Sequence, residues 1–362
     1  MRILLSAFLF VSTAATGQTF THSETNILTD EKKPYSIFPI FHSTTRPMIA
    51  AIINKGLQMA CFKKIQTSKN PEALENKEVE DYSKWGYSVD YSNDRLLHII
   101  TTFWVPPGGM TTPDYTITQE YFFDTNTGDR VYREDFFTKN GFEKVKKLVK
   151  SRLEVEVNYH FAELVKSYPV AKFGNVLPDL EPCVLEMNSG IDRLTAPDSF
   201  NPSARSFGFI APWCSEGDRE DVPELEDALN ISLNSSEVAP FSSAFWSYYI
   251  LHKDPAPAPH PINHTWTGLL GERIPVTIMI RADEKDDSKI EGIEVYDDYG
   301  GGIKILGGKS GDSYWLNEMG EDGKTVLATF EVAPIHGKLV GHWKKADGSK
   351  TLDFVATMGG QQ

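Results

Sequence analysis

The stretch Tyr87-Ser88-Val89-Asp90-Tyr91-Ser92-Asn93-Asp94-Arg95-Leu96-Leu97-His98-Ile99-Ile100-Thr101-Thr102-Phe103-Trp104-Val105 decides the fold. Tyr87, Val89 and Tyr91 alternate with polar residues, the period of a half-buried strand. Ser92 to Arg95 is a polar turn, and Leu96 to Val105 is a long apolar run. A Pro/Gly loop, Pro106-Pro107-Gly108-Gly109, leads to Tyr115-Thr116-Ile117-Thr118-Gln119-Glu120-Tyr121-Phe122-Phe123-Asp124. The turn Thr125 to Asp129 then precedes a helical pattern that starts near Asn140. The reading is three strands followed by one helix that covers the sheet.

Upstream, residues Gln18 to Lys33 are polar and read as a short arm. Pro34 to Phe41 alternates and carries prolines, which predicts an edge strand because proline cannot donate to a ladder. Thr44 or Thr45 is the expected cap of a helix with Pro47 in its first turn. Ile49, Ile52, Ile53, Leu57 and Ala60 then recur at helical spacing, with Asn54 beside the stripe. Lys69 to Lys84 is charged and reads as a connector or an exposed helix.

The helix after the central strands is expected to start at Asn140 with Glu143 as a capping-box partner. Phe142, Val145, Leu148, Val149, Phe161, Leu164 and Val165 form its apolar stripe, and Lys144, Lys146, Lys147 and Lys150 a solvated basic face. Short strands are expected at Phe207 to Ile210 and Leu229 to Leu233. Proline at every second position from Pro255 to Pro261 predicts an extended spacer of roughly 20 Å at about 3.1 Å per residue. Beyond it, eight short strands separated by Gly and Asp turns run from Thr265 to Ala356. Such a series favours a small barrel, or a curled sheet that closes its edges. The expected fold class is α+β: an antiparallel sheet with two packing helices, plus a C-terminal small antiparallel β-barrel. The expected segments are 1–17 (signal peptide), 18–252 (α+β module), 253–263 (Pro-rich linker) and 264–362 (barrel).

The chain has 362 residues, with 36 Lys and Arg against 50 Asp and Glu, a net charge of −14. That balance argues against nucleic acid, whose phosphates need a basic surface. It is compatible with a cationic partner. Arg2, the apolar run Ile3 to Val11 and the small residues to Gly17 read as a signal peptide, with cleavage before Gln18. The apolar core is shorter than the about 20 residues that a spanning helix needs. The expected location is periplasmic or secreted, with no membrane span. Export permits disulfides. Cys183 and Cys214 are the natural pair, a closure worth roughly 3–4 kcal/mol. Cys61, on a helical face, reads as a small buried thiol.

Two blocks carry a resemblance. Tyr35-Ser36-Ile37-Phe38-Pro39 with the helix Ile49 to Leu57 and Asn54 resembles the N-terminal module of lysozyme-sensing anti-sigma factors, which also precedes some peptidoglycan deacetylase domains. Its subpart is 30–65. The partner module, subpart 85–250, is matched by Gly108-Gly109, Tyr115, Tyr121-Phe122-Phe123-Asp124, Thr127-Gly128 and Asp135-Phe136-Phe137. Glu237-Val238-Ala239-Pro240-Phe241 resembles that family's Tyr-Glu-Ile-Ala-Pro-Tyr signature. The resemblance implies an extracytoplasmic binding fold, one branch of which binds lysozyme. Two departures stand out: Met110-Thr111 replaces the Ala-His that usually follows the Gly-Gly, and no deacetylase ligand set is present. The C-terminal block, with Trp266-Thr267-Gly268 and Gly341-His342-Trp343, is similar to avidin-like and lipocalin-like barrels.

The sequence offers no reaction centre, so no catalytic residues, metal or cofactor are expected. His260 and His264 stand four apart in a proline-rich linker, where the three or four fixed ligands of a zinc site are missing. The acidic run Asp283 to Asp287 lacks the spaced oxygens and the glycine of a calcium loop. The aromatic residues exceed what alternation must bury, and aromatics are enriched at binding hot spots. The candidate binding residues are Trp104, Gly108, Gly109, Tyr115, Tyr121, Trp246, Trp266 and Trp343. The expected function is non-catalytic binding of a lysozyme-like or other cationic protein. Two alternatives stay open: a carrier or sensor whose barrel holds a small apolar ligand, and an envelope-polymer hydrolase. The oligomeric state stays open.

Overall fold

A computed structural model of the protein describes residues 20–28, 34–67, 73–75, 84–105, 115–167, 191, 199–201, 205–210, 230–258, 260–282, 286 and 288–359. The chain divides into two compact units. One comprises the residues up to Gln119, Phe123–Arg130 and Pro261–Gln362; the other comprises Glu120–Phe122 and Val131–His260. The architecture is the expected mixture of antiparallel sheets, a few helices and a closed C-terminal barrel.

In the first unit, β1 (Thr21–Leu28) pairs antiparallel with β2 (Pro34–His42) and parallel with the short β3 (Ala73–Glu75). The polar arm expected before Lys33 is therefore a strand, and it is the central one of its sheet. Its polar residues Thr21, His22, Ser23 and Glu24 are exposed, while Thr25 and Ile27 are buried. The alternation begins too late in the strand to be read as one. The expected edge strand is β2, with its other edge unpaired in this sheet.

The first helix, α1 (Pro47–Phe62), buries Ile49, Ile52, Ile53, Leu57 and Met59. Neither Thr44 nor Thr45 caps it. Arg46 occupies the cap without a side-chain bond, and its own N–H donates to Ser43 Oγ at 3.1 Å. Asn54 has a structural task. Its Oδ1 accepts from Phe41 N at 2.7 Å and its Nδ2 donates to Phe41 O at 2.9 Å. One amide thus replaces the neighbouring strand that the β2 edge lacks, since the Asn side chain carries the same donor and acceptor as a peptide.

The central sheet runs β4 (Lys84–Ser92), β5 (Leu96–Val105), β6 (Tyr115–Asp124) and β7 (Arg130–Val131), in that order. These are the three strands read from the sequence plus a two-residue addition. Asp124 Oδ1 accepts from the N–H groups of Asn126 and Thr127, which builds the turn. Gly128 completes it at φ 79°, hard against Ile52 of α1.

In the second unit, α2 (Lys139–Ser167) begins one residue before Asn140. Its first turn is served by Thr138, whose Oγ1 accepts from Gly141 N at 3.0 Å, rather than by an Asn140–Glu143 box. Phe142, Val145 and Val149 of the expected stripe are buried, as is Leu153 outside it; Leu148 is half-buried, and Lys146 of the expected solvated face is buried. Strands β8 (Ser199–Asn201), β9 (Ser206–Ile210) and β10 (Asn230–Asn234) form a small antiparallel sheet. Then follow α3 (Ser235–Val238) and α4 (Ala244–Tyr249). The core of this unit is aromatic: Phe200 and Phe207 stack at 4.6 Å, Phe207 and Trp246 lie 5.0 Å apart, and Phe136 and Phe200 5.2 Å.

The barrel returns to the first unit. Its strands are β11 (Thr265–Leu270), β12 (Ile274–Ala282), β13 (Lys289–Tyr296), β14 (Gly302–Ser310), β15 (Ser313–Met319), β16 (Val326–Ile335), β17 (Lys338–Lys345) and β18 (Thr351–Met358). Each pairs with the next, and β11 closes on β18 from Trp266↔Met358 to Leu270↔Phe354. Closure leaves no strand edge open to another chain. A Cβ on Gly268 would lie 2.1 Å from Val355 O, and one on Gly341 1.9 Å from Glu331 O. Only glycine permits neighbouring strands that close an approach, which is how glycine kinks bend a barrel wall. The interior is filled by side chains, among them Trp266, Ile278, Ile305, Leu316, Phe330 and Phe354. Eight strands enclose just enough space for such packing.

The proline spacer is not the barrel's only attachment. Helix α1 lies on the outer wall of β12 and β13, where Met59 and Ile65 pack with Met279 and Val295. Lys55 Nζ reaches Asp297 Oδ2 at 2.6 Å and Thr277 Oγ1 at 3.1 Å. The turn after β6 is fixed to the start of the barrel as well. Asp129 Oδ2 stands 2.8 Å from His264 Nδ1, and Asp129 Oδ1 accepts from Thr265 N at 2.9 Å.

Candidate functional site

Edge strands β2 and β4 run side by side without a shared ladder and leave a groove of about 570 Å³ between them. Its lining comes from β1 (His22, Glu24), β2 (Ser36, Ile37) and β4 (Trp85 to Val89). Ser36 Oγ donates to Trp85 O at 2.7 Å and ties the two edges together. The floor is rigid. Trp85 is buried and packs on Phe62 of α1 at 5.0 Å, and Phe62 on Phe38 at 4.9 Å.

The polar groups of the groove are coupled. Tyr87 OH donates to Glu24 Oε1 at 3.1 Å. Burial, with the charge of Glu24 beside it, pushes the Tyr87 hydroxyl above the usual phenol range. The His22 ring meets Tyr87 edge-on at 5.7 Å. Ile37 is 40 % exposed at the rim. A carboxylate flanked by aromatic faces suits a cationic side chain, which gains both an ion pair and a contact with the ring quadrupole. Sequence reasoning missed His22 and Glu24, because the first half of β1 is polar on both faces and shows no alternation.

The residues singled out in the sequence are scattered. Gly108 and Gly109 lie outside the described residues, as do Cys183 and Cys214. Trp104 and Tyr115 fall in β5 and β6, with their side chains outside the described part. Tyr121 is buried in β6, Trp246 is fully buried in the aromatic core of the second unit, and Trp266 is a core residue of the barrel. Phe136, Phe200 and Phe207 surround Trp246, so this tryptophan serves packing. Cys61 is half-buried near the end of α1. The signature around Glu237 is also structural. Asn234 Oδ1 accepts from Ser236 N and Glu237 N, Glu237 Oε2 accepts from Asn234 N, and Glu237 pairs with Arg152 of α2.

Trp343 differs from the other tryptophans. It is half-buried at the barrel end where β13, β15 and β17 finish, and its Nε1 donates to Glu318 Oε1 at 2.5 Å. Tyr296 OH donates to the same oxygen at 2.8 Å. Glu318 is 3 % exposed and Glu294, beside it, 0 %. The Glu294 carboxyl lies against that of Glu318 and shares a side-chain hydrogen bond with it. Burial first, and the charge of Glu318 second, hold the Glu294 carboxyl well above the usual range. Burial first, then the neighbouring carboxyls of Glu294 and Glu318, raise the Tyr296 hydroxyl.

Among the described residues no group of three or more His, Cys, Asp or Glu side chains is placed to hold a metal ion. No helix among them is long and apolar enough to cross a membrane. Compared with known proteins, the chain matches no family model and no curated sequence.

Proposed function

We propose that the chain is an exported protein of the bacterial envelope that works by binding rather than by chemistry, with a cationic protein of lysozyme type as its partner. The observation that carries this reading is the groove between β2 and β4. It presents Glu24, Tyr87 and His22 over a rigid aromatic floor. Strand β2 also belongs to the block that resembles the lysozyme-sensing module. The net charge of −14 supplies long-range attraction for a basic partner.

The partner's Lys or Arg side chain would enter the groove, pair with Glu24 and lie on the ring of Tyr87. Calorimetric titration of the full chain with lysozyme at low and at high salt tests this. Micromolar binding that weakens with salt, and that Glu24→Gln reduces about tenfold, is the expected outcome; about 1.4 kcal/mol corresponds to that factor. Absence of binding at micromolar concentration overturns the reading. So does equal binding by the Glu24→Gln protein.

A further inference from the structure

Two hydroxyl hydrogens of the groove between β2 and β4 are already committed within its wall. Tyr87 OH donates to Glu24 Oε1 at 3.1 Å, and Ser36 Oγ donates to Trp85 O at 2.7 Å. A hydroxyl carries one hydrogen and two lone pairs. With its hydrogen engaged, each of these oxygens turns only lone pairs toward a ligand. Glu24 adds a carboxylate, an acceptor on both oxygens. Among the described residues its polar partner is the neutral phenol of Tyr87, so no Lys or Arg neutralises its charge. His22 keeps a donor, as every neutral imidazole does, and Ser88 can play either role. Strand edges offer N–H and C=O groups alike, so the side chains decide what the groove accepts. They call for several hydrogen-bond donors and one positive charge.

A guanidinium supplies five N–H donors in a planar fork, whereas an ammonium is a compact point charge with three donors that holds its water strongly. The acceptors stand on three different strands, Glu24 on β1, Ser36 on β2 and Tyr87 on β4. A planar fork engages two separated acceptors at once, which a point charge does not. Guanidinium also stacks on aromatic rings, and the rings of Tyr87 and His22 belong to the wall. Exposed Ile37 at the rim gives the methylene stem an apolar surface to lie on. A sugar is the poorer fit. Its hydroxyls call for donors as well as acceptors, and Trp85, at 2 % exposure, has no face free to lie under a sugar ring.

We propose, resting on the reading of this groove as a site for a cationic side chain, that it selects arginine over lysine. The guanidinium bridges the Glu24 carboxylate and the lone pairs of the Tyr87 and Ser36 oxygens. A partner is then recognised by an exposed arginine and not by positive charge alone.

The test uses the full chain and three capped tripeptides, acetyl-Gly-Arg-Gly-amide, its lysine counterpart and its citrulline counterpart. Citrulline keeps the shape of arginine and loses the charge. Chitotriose is the sugar probe. The backbone amide signals of Gly86, Tyr87 and Ser88 in NMR spectra read occupancy of the groove. The arginine peptide should shift these signals to saturation and bind about tenfold tighter than the lysine peptide; citrulline and chitotriose should leave them unmoved. Glu24→Gln, at an exposed position of β1, should lose about tenfold in arginine affinity and most of the preference over lysine. An otherwise unchanged spectrum shows that this variant is folded. Equal affinity for the arginine and lysine peptides overturns the selection of arginine and leaves the cationic reading of the groove standing. Saturation by citrulline or chitotriose overturns both. A preference retained by the folded Glu24→Gln protein, or unmoved signals with every probe, also overturns the selection, and the lysozyme titration then judges the cationic partner separately.

Discussion

Glu294→Gln has a consequence for stability that rests on burial and on the neighbouring Glu318 carboxyl. In the unfolded chain this carboxyl titrates at its ordinary value of 4.5; in the barrel, burial and the charge of Glu318 raise it well above that. The folded state thus holds one more proton than the unfolded state between the two values. The stabilisation is fully present below the ordinary carboxyl value and is lost as the pH rises through the raised one. One proton corresponds to a slope of about 1.4 kcal/mol per pH unit across that window. The direction is opposite to that of a salt-bridged carboxylate, which stabilises on the alkaline side. Glutamine imitates the protonated acid in shape and charge, so the variant removes this slope alone.

The assay is native-state hydrogen exchange of peptides from β13, β15 and β17, corrected for the intrinsic pH dependence of exchange, in wild type and variant. The difference between the two proteins isolates Glu294 from every other titration. At low pH they should be equally protected. As the pH rises the wild type should lose protection relative to the variant at the slope given above, and the variant should be the more stable at alkaline pH. A difference that stays flat with pH would refute the argument that a buried carboxyl is held neutral beside Glu318. A variant less stable at every pH would show that Glu294 makes a bond that glutamine cannot copy.

Other outcomes are as definite. Gly341→Ala sets a Cβ 1.9 Å from Glu331 O, so the wall must move; a loss of about 3 kcal/mol or more in denaturant unfolding is expected. Asn54→Ala leaves the Phe41 N–H and C=O without the bonds that side chain gives them. A loss of about 1–3 kcal/mol follows, read by the same measurement. Asn234→Ala removes the capping box before α3 and should cost about 0.5–2 kcal/mol. For the proposed export, mass spectrometry of the protein recovered from the envelope should find Gln18 as the first residue; an intact Met1 would refute cleavage there.

Much of the architecture was legible because it is local. Alternation marked β4, the long apolar run marked β5, and Gly and Asp turns marked most hairpins of the barrel, though Gly307-Gly308 lies within β14. Where local signals conflicted, the reading failed. Strand β1 is exposed along its first half, so its pattern resembles an arm. The start of α2 is capped from outside the helix by Thr138, two residues before the Asn140 that the Asn140–Glu143 spacing suggested. Burial of Trp246 and Tyr121 escapes the sequence for a similar reason. Composition counts Trp246 and Tyr121 but not the layers that bury them.

By itself, then, the sequence determined strands β4 to β6 and β11 to β18, helices α1 and α2, and that the chain carries a strong negative charge. Those properties follow from residue period, turn chemistry and composition. Only the tertiary structure decided which face of each strand looks inward. In β13 both faces are apolar, since Ile293 and Val295 face the α1 side while Ile290 faces the barrel core. Period alone would have put Glu294 in water. Helix α1, more than two hundred residues earlier in the chain, covers the outer wall and so permits Glu294 and Tyr296 to face inward. Strand pairing from β13 through β14 to β15 then brings Glu294 to Glu318. Such pairing between distant residues is set by packing and register, which no local pattern encodes.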